Sequence, residues 1–313
     1  MRTKTAILSI LATSLMSYAA VAQEEAPPPA EGAAPAAEGA PAAAPGAAPA
    51  PAPEAEAPVA AAPAAATPSG YSDQYALRPL TLSAMMFQGT LPVVLNLSKS
   101  AMLKPVWIPL DLRFGVTDQL EVFVSHSPEG APLAFGHGGL CLGGTSRGCT
   151  KVYNNVNLGG QFSFVKQSGF EASGLLALEL RQFSPDMLMA VAVGVGLKYV
   201  AAPVSVKLTP QVGIGVNKRS DLGNKEFISV PLQIAVQAAP QIAVFLDSGL
   251  FGPTPHFGDL YVVPIGIGAS FLATHGLDVG AEFMLDAVAK GSAVGGGSAD
   301  RRTAMIFASW RSQ

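Results

Sequence analysis

An alternation of apolar and polar side chains with a period of two residues constrains this chain more than any other feature. In residues 105–127, Val106, Ile108, Leu110, Leu112, Phe114 and Val116 share one parity, while Trp107, Asp111, Arg113 and Gly115 share the other. That is the period of a strand, and a helix with one apolar face cannot produce it. After Thr117-Asp118 the alternation resumes, with Leu120, Val122 and Val124 on the apolar side and Glu121, Phe123 and Ser125 opposite. The pattern predicts a strand, a tight turn and a second, antiparallel strand. The same reading applies to residues 152–165, 170–180, 187–199, 204–217, 227–238, 241–250, 260–272, 277–286 and 303–310. The cleanest case sets Val204, Val206, Leu208, Val212, Ile214 and Val216 against Ser205, Lys207, Thr209, Gln211, Gly213 and Gly215. Leu175 breaks the parity of its segment. Residues 187–199 could also be a buried helix, but two glycines and several β-branched residues argue for a strand. Before the first hairpin, Leu80, Leu82, Ala84 and Met86 hold one parity, whereas Val93, Leu95 and Leu97 hold the other. That switch implies a bulge near Gln88-Gly89 or two separate pieces.

Alternation alone fits a soluble barrel with an apolar interior as well as a membrane barrel with an apolar exterior. Three features favour the membrane barrel. Connections alternate between short ones, such as Thr117-Asp118 and Ala239-Pro240, and longer ones, such as residues 127–151 and 287–302, as in barrels with turns on one rim and loops on the other. Phe114, Phe164, Phe170, Tyr199, Phe271 and Trp310 gather where the apolar parity meets the short-turn rim, the place of an interfacial girdle. Away from strand ends, the apolar parity carries no Asp, Glu, Lys or Arg, in keeping with a cost of ~2–4 kcal/mol for Arg or Lys at the bilayer midplane. The expected fold is all-β, an antiparallel up-and-down transmembrane barrel of about twelve strands. Pro109, Pro210, Pro231 and Pro264 each remove a ladder donor, so local bulges are expected there.

Residues 1–22 read as a secretory signal peptide, with Arg2 and Lys4 before a short apolar centre and Ala20-Val21-Ala22 as the cleavage site. Residues 23–70 collapse to Ala, Pro, Gly and Glu and cannot bury enough apolar surface to offset the entropy of ordering, so a disordered linker is expected. Residues 71–313 form the barrel. This order places the barrel in the outer membrane, with its lipid and the barrel-assembly machinery as partners. The tail then lies in the periplasm, where the cell wall is a possible partner.

The hairpin LRFGVTDQLEV, residues 112–122, resembles bacterial outer-membrane β-barrel families in which a strand ends in Gly, a hydrophobic residue, Thr and Asp before an acidic, apolar strand. Some of these families are grouped as transporters in aromatic-compound catabolism. The resemblance covers a small part of the chain and implies a transporter-like barrel without naming a cargo. The last strand ends at Trp310 followed by Arg311-Ser312-Gln313, where the family pattern closes on a terminal aromatic residue.

Cys141 and Cys149 are the only cysteines. In an oxidising compartment they are expected to form a disulfide; the alternative is a metal site with His126 or His137. Ser127, His126 and Asp259 could in principle meet as a hydrolase triad, but no motif fixes that geometry and solvated loop residues are the expected reading. No phosphate-binding motif, cofactor site or metal site is predicted. A net charge of -3 without a basic cluster argues against nucleic acid. The water-facing parity carries Asp111, Glu121, Glu179, Asp247, Asp278 and Glu282 against Arg113, Arg181, Lys198 and Lys207, an acidic excess that would line the lumen. The leading functional reading is a narrow pore or transporter for small solutes with a modest cation preference. The competing readings are a structural or adhesive barrel presenting surface loops and an outer-membrane enzyme. For the lumen, the competing reading is a filled polar core in which Arg113 and Arg181 pair with neighbouring acids.

Overall fold

The computed structural model describes residues 71–98, 102–131, 138–144, 149, 151–221, 223–297 and 300–312. The expected signal peptide, the Ala/Pro-rich segment and His137 lie outside the described residues.

Twelve antiparallel strands close into a barrel. Its wall begins with β1 (Phe87–Asn96), followed by β2 (Val106–Ile108) and β3 (Asp111–Gly115), which make one strand broken at Pro109. Next come β4 (Leu120–Ser125), then two short strands in the long connection, β5 (Gly139–Leu142) and β6 (Tyr153–Asn154), then β7 (Val156–Gln167), β8 (Phe170–Gln182) and β9 (Leu188–Ala201). β10 (Val204–Leu208) and β11 (Gln211–Gly215) form another single wall strand, broken at Pro210. The wall ends with β12 (Phe227–Ala239), β13 (Ile242–Pro253), β14 (Val262–Thr274), β15 (Leu277–Lys290) and β16 (Arg302–Arg311); a one-turn helix, α1 (Phe257–Leu260), precedes β14. β16 pairs back onto β1 without a register break, from Gln88↔Arg311 to Asn96↔Thr303. Closure joins the first and last strands of the wall, so the wall itself has no free edge among the described residues, as a wall in hydrocarbon requires.

Three of the four prolines sit at irregularities for the expected reason, the missing N–H. Two break strands, and Pro264 falls in a register shift between Val263 and Ile265. Pro231 corrects the expectation: it stays in continuous register opposite Gly249. Its other side faces the gap between β10 and β11, where the Thr209 N–H donates to the Pro231 carbonyl at 3.1 Å. The irregularity is therefore displaced onto the neighbouring strand.

The expected parity sets the two faces. Leu158, Phe162, Leu176, Val193, Val195, Ile214, Ile267 and Ile306 are exposed on the outside, and in the girdle Phe164, Phe170, Tyr199, Phe271 and Trp310 are exposed as well. A closed barrel whose exposed belt is aliphatic and aromatic matches a bilayer on its outer face. The inward parity is buried, with Ser173, Gln161, Ser205, Asp247 and Thr303 among its polar members. Leu175, the parity exception, points inward and packs with Phe123, Ala177 and Ala192. The turns joining β7–β8, β9–β10, β12–β13 and β14–β15 span two residues each and share a rim with the start of β1 and the end of β16, as alternating strand direction requires.

The long connection after β4 extends the wall. Where β4 stops at Ser125, β5 takes its place beside β2, pairing Trp107 with Cys141. Cys141 and Cys149 form the expected disulfide with their Cα atoms 5.8 Å apart. The alternative of a thiolate metal site is therefore ruled out at these two residues.

Candidate functional site

The barrel interior is filled by two pieces of the chain. The first is residues 71–83, which lie inside the wall before the chain emerges at exposed Ala84 and Met85, so the two parities seen between residues 80 and 97 belong to two separate pieces. Leu80, Thr81 and Leu82 are buried, and β1 starts only at Phe87, after a left-handed residue at Met85 (φ 61°) that turns the chain into the wall. In an extended segment alternate N–H groups point the same way, and here each meets a wall carboxylate. Leu80 N–H donates to Glu171 at 2.7 Å, Leu82 N–H to Glu121 at 2.9 Å, and Ala84 N–H to Asp118 at 2.9 Å. Upstream, the Arg78 guanidinium pairs with Asp278 on β15 at 2.8 Å, and Asp278 also pairs with Arg311. The Arg78 carbonyl accepts a hydrogen bond from Lys198 on β9. Asp73 pairs with His275 in the β14–β15 turn. Tyr75 stacks on Phe245 with ring centres 5.5 Å apart, and Gln233 donates to its hydroxyl. Burial, and next the Asp247 carboxylate, push the Tyr75 phenol well up, so it stays neutral. This segment is a plug anchored at the short-turn end.

The second piece is the start of the long connection, residues 126–131, which turns inward from β4. Glu129 reaches Arg113 on β3 through two hydrogen bonds of 2.7 and 3.1 Å, and Lys207 on β10 lies 3.6 Å away. β3 and β10 are far apart in strand order, so one carboxylate links separate parts of the wall. Gln211 on β11 donates to the Glu129 carbonyl at 2.7 Å. Gly130, at φ +74°, packs so closely on Thr209 that a Cβ there would meet its hydroxyl at 2.5 Å. Burial alone would push the Glu129 carboxyl up, but Arg113 and Lys207 outweigh it and bring it down to about 2.

The charged residues expected on the lumen face fall into three groups. Arg113 pairs with Asp111 and Glu121 as well as with Glu129. Arg181 pairs with Glu179 at 2.9 Å and donates to Asn224 and to the Lys225 carbonyl, near the connection between β11 and β12. Lys198 and Asp278 hold the plug. Asp247 and Glu282 remain, on β13 and β15. Between plug and inward loop lies a cavity of about 220 Å³, bordered by Arg113, Lys207, Asp247, Glu282, Tyr75 and Phe307 among others.

The solvated-loop reading of His126 and Ser127 is corrected, since both are buried. The His126 ring contacts the Leu110 carbonyl at 2.5 Å and the Tyr153 hydroxyl at 2.7 Å, while Asp259 accepts from Ser292. The three candidates for a triad thus have other partners. Glu129, Arg78 and Tyr75 were missed from sequence. Glu129 sits in a Ser-Pro-Glu-Gly turn that reads as an ordinary loop, and only its approach to Arg113 distinguishes it. Arg78 had a weak signal, as the first basic residue after Lys4.

No protein-family model matches the sequence, and a comparison with curated proteins finds no match either. Solved structures do match in fold. A NanC porin aligns with a TM-score of 0.50 at 6% identity, covering 71% of this chain and 100% of that one. A KdgM porin aligns at 0.46 and 10% identity, covering 71% and 98%. An outer membrane channel from Pseudomonas putida F1 aligns at 0.46 and 11% identity, covering 79% and 100%. At these identities the likeness speaks to architecture: the chain has the closed β-barrel fold found among outer-membrane porins and channels.

Proposed function

We propose that this protein is a narrow outer-membrane channel for small solutes, seen here closed by its own N-terminal segment. The observation that carries the reading is how the plug is held. Its directional contacts with the wall are hydrogen bonds and ion pairs, and its apolar part is the Tyr75–Phe245 stack with the buried side chains of Ala76, Leu80 and Leu82. Water can replace these contacts one at a time, at a net cost of roughly 1.5–3 kcal/mol for each hydrogen bond to a charged partner. The plug also contributes no strand to the wall, so the barrel can persist without it. In this reading residues 1–22 are removed on export, and residues 23–70 tether the plug on the periplasmic side, which is the short-turn rim. The acidic residues of the lumen then bias passage toward cations.

Planar-bilayer recording tests this. Full-length mature protein should give small, infrequent openings with a modest cation preference. A form lacking residues 23–83 should give larger, steadier conductance, with heat-modifiable gel migration showing that both forms are folded. Silent bilayers from folded, inserted protein of both forms would sink the channel reading.

A further inference from the structure

We infer that the luminal cavity is a binding station for a small organic cation, a primary ammonium on an apolar body; this rests on the channel reading and specifies what such a channel would hold. The ion pairs around the cavity are unevenly distributed. Arg78 is matched to Asp278, Arg113 to Asp111, Glu121 and Glu129, and Lys207 to Glu129. Among the described residues no ion pair involves Asp247 or Glu282. Asp247 accepts one hydrogen bond, from Gln233 at 3.0 Å. Glu282 is only 4% exposed, and its Oε1 has no hydrogen-bond partner among the described residues. A buried carboxylate oxygen left without a partner is costly, and an incoming cationic donor would recover that cost.

The strand between the two acids is shaped around them. Gly266 on β14 lies opposite Asp247 in the β13 register, and a Cβ at Gly266 would collide with Glu282 Oε1. The missing side chain is what lets Glu282 lean across β14 toward Asp247. Two further glycines seat aromatic rings: a Cβ at Gly268 would collide with the Phe245 ring, and one at Gly280 with the Phe307 ring. Tyr75 of the plug covers Phe245. The result is that the two carboxylates and the side chains of Phe245, Phe307 and Tyr75 all border one cavity.

Charge selects a cation over an anion or a neutral solute, and the rings select an organic cation over a metal ion. A hydrated divalent ion needs six or more oxygen ligands for Ca²⁺, or near-octahedral geometry for Mg²⁺, and among the described residues no cluster of three His, Cys, Asp or Glu could hold a metal. An ammonium can instead donate to both carboxylates while its body, if aromatic, packs against the rings, a contact worth roughly 0.5–1.5 kcal/mol beyond the area it buries. Size permits it, since a cavity of ~150 Å³ accepts benzene and this one is about 220 Å³.

Calorimetric titration of the full mature protein in detergent, with benzylammonium as probe and benzyl alcohol as its neutral counterpart, tests the site. Benzylammonium should bind at least about tenfold more tightly than the alcohol, the size of one charge-assisted hydrogen bond. Glu282→Gln should weaken the amine by a similar factor, and Asp247→Asn with Glu282→Gln should abolish the difference between amine and alcohol. Heat-modifiable migration checks that the variants fold. Equal binding of amine and alcohol, or amine binding unchanged in the double variant, overturns the inference. The bilayer experiment separates the two claims. Conducting protein that shows no preference for the amine removes this inference alone. Selective amine binding in protein whose bilayers stay silent supports the site while removing the channel reading.

Discussion

The plug and the inward loop both occupy the lumen, yet they are held by opposite arrangements. The plug offers mainly its backbone: three alternate N–H groups meet carboxylates on β8, on β4 and in the β3–β4 turn, and the side chains of Arg78 and Asp73 add ion pairs. The loop offers one side chain: Glu129 enters between Arg113 and Lys207, with Gln211 and the close packing of Gly130 behind it. Many modest contacts in a row can be broken in sequence, whereas a single buried charge is lost all at once. The difference suggests a fixed constriction at the loop and a releasable one at the plug.

The strongest way to break this contrast is Glu129→Gln. Removing one partner of a buried ion pair costs about 3–5 kcal/mol, and the low end applies because Arg113 keeps Asp111 and Glu121. A cysteine placed at Ala131, buried in the folded loop, should then react with maleimide about 100-fold faster, the factor that ~3 kcal/mol represents. An unchanged rate would mean that Gln211 and Gly130, rather than charge, hold the loop.

Arg78→Ala should have a smaller effect and act on the other piece. Asp278 keeps Arg311, so no wall charge is orphaned, and the plug keeps its donors at Leu80, Leu82 and Ala84. A loss of roughly 1–2 kcal/mol is expected, read as an open probability raised by about tenfold in bilayers. A larger effect than this would show the plug to be held chiefly by Arg78 and would erase the distinction from the loop.

Acid should produce the smallest change over the ordinary range. The Glu129 carboxyl titrates near 2 in the folded loop, against 4.5 for an ordinary glutamate. A depressed carboxylate stabilises the fold fully above its ordinary value, and this contribution is lost as pH falls through the folded value. Opening of the loop, read as labelling at position 131 relative to a free thiol at the same pH, should therefore stay flat from pH 7 to about 5 and increase progressively as pH falls from 4.5 toward 2. A rise centred on pH 5 would show that Arg113 and Lys207 do not grip Glu129 as described.

Architecture was legible because a wall with one face in lipid and one in a polar interior imposes strict alternation on every strand, and a single residue reports its face by parity. Leu175 shows the limit. As a lone apolar residue on the polar parity it looked like noise, yet it packs on Phe123 inside the barrel. Asp111, Glu121 and Glu179 could be put on the inner face from sequence, and their pairing with Arg113 and Arg181 was the competing reading of the lumen, but the contacts of Glu129 and of the plug could not be read, because those partners come from segments without periodicity. His126 was misread for the same reason: a loop residue is expected in water unless something covers it, and here Leu110 and Tyr153 do.

By itself the sequence determined the all-β barrel, its strand count, the rim with short turns, the lipid face and the disulfide, since each follows from period, spacing or composition along neighbouring residues. Only the tertiary structure decided what fills the lumen. Whether residues 71–83 would join the wall or cross the interior depends on Glu171, Glu121, Asp118 and Asp278 being brought around them by closure. Which acids stay without a cation depends on where Arg78, Arg113 and Lys207 come to lie. Charges separated along the chain become neighbours only when the sheet closes on itself, and pairing at a few ångströms is what decides their role.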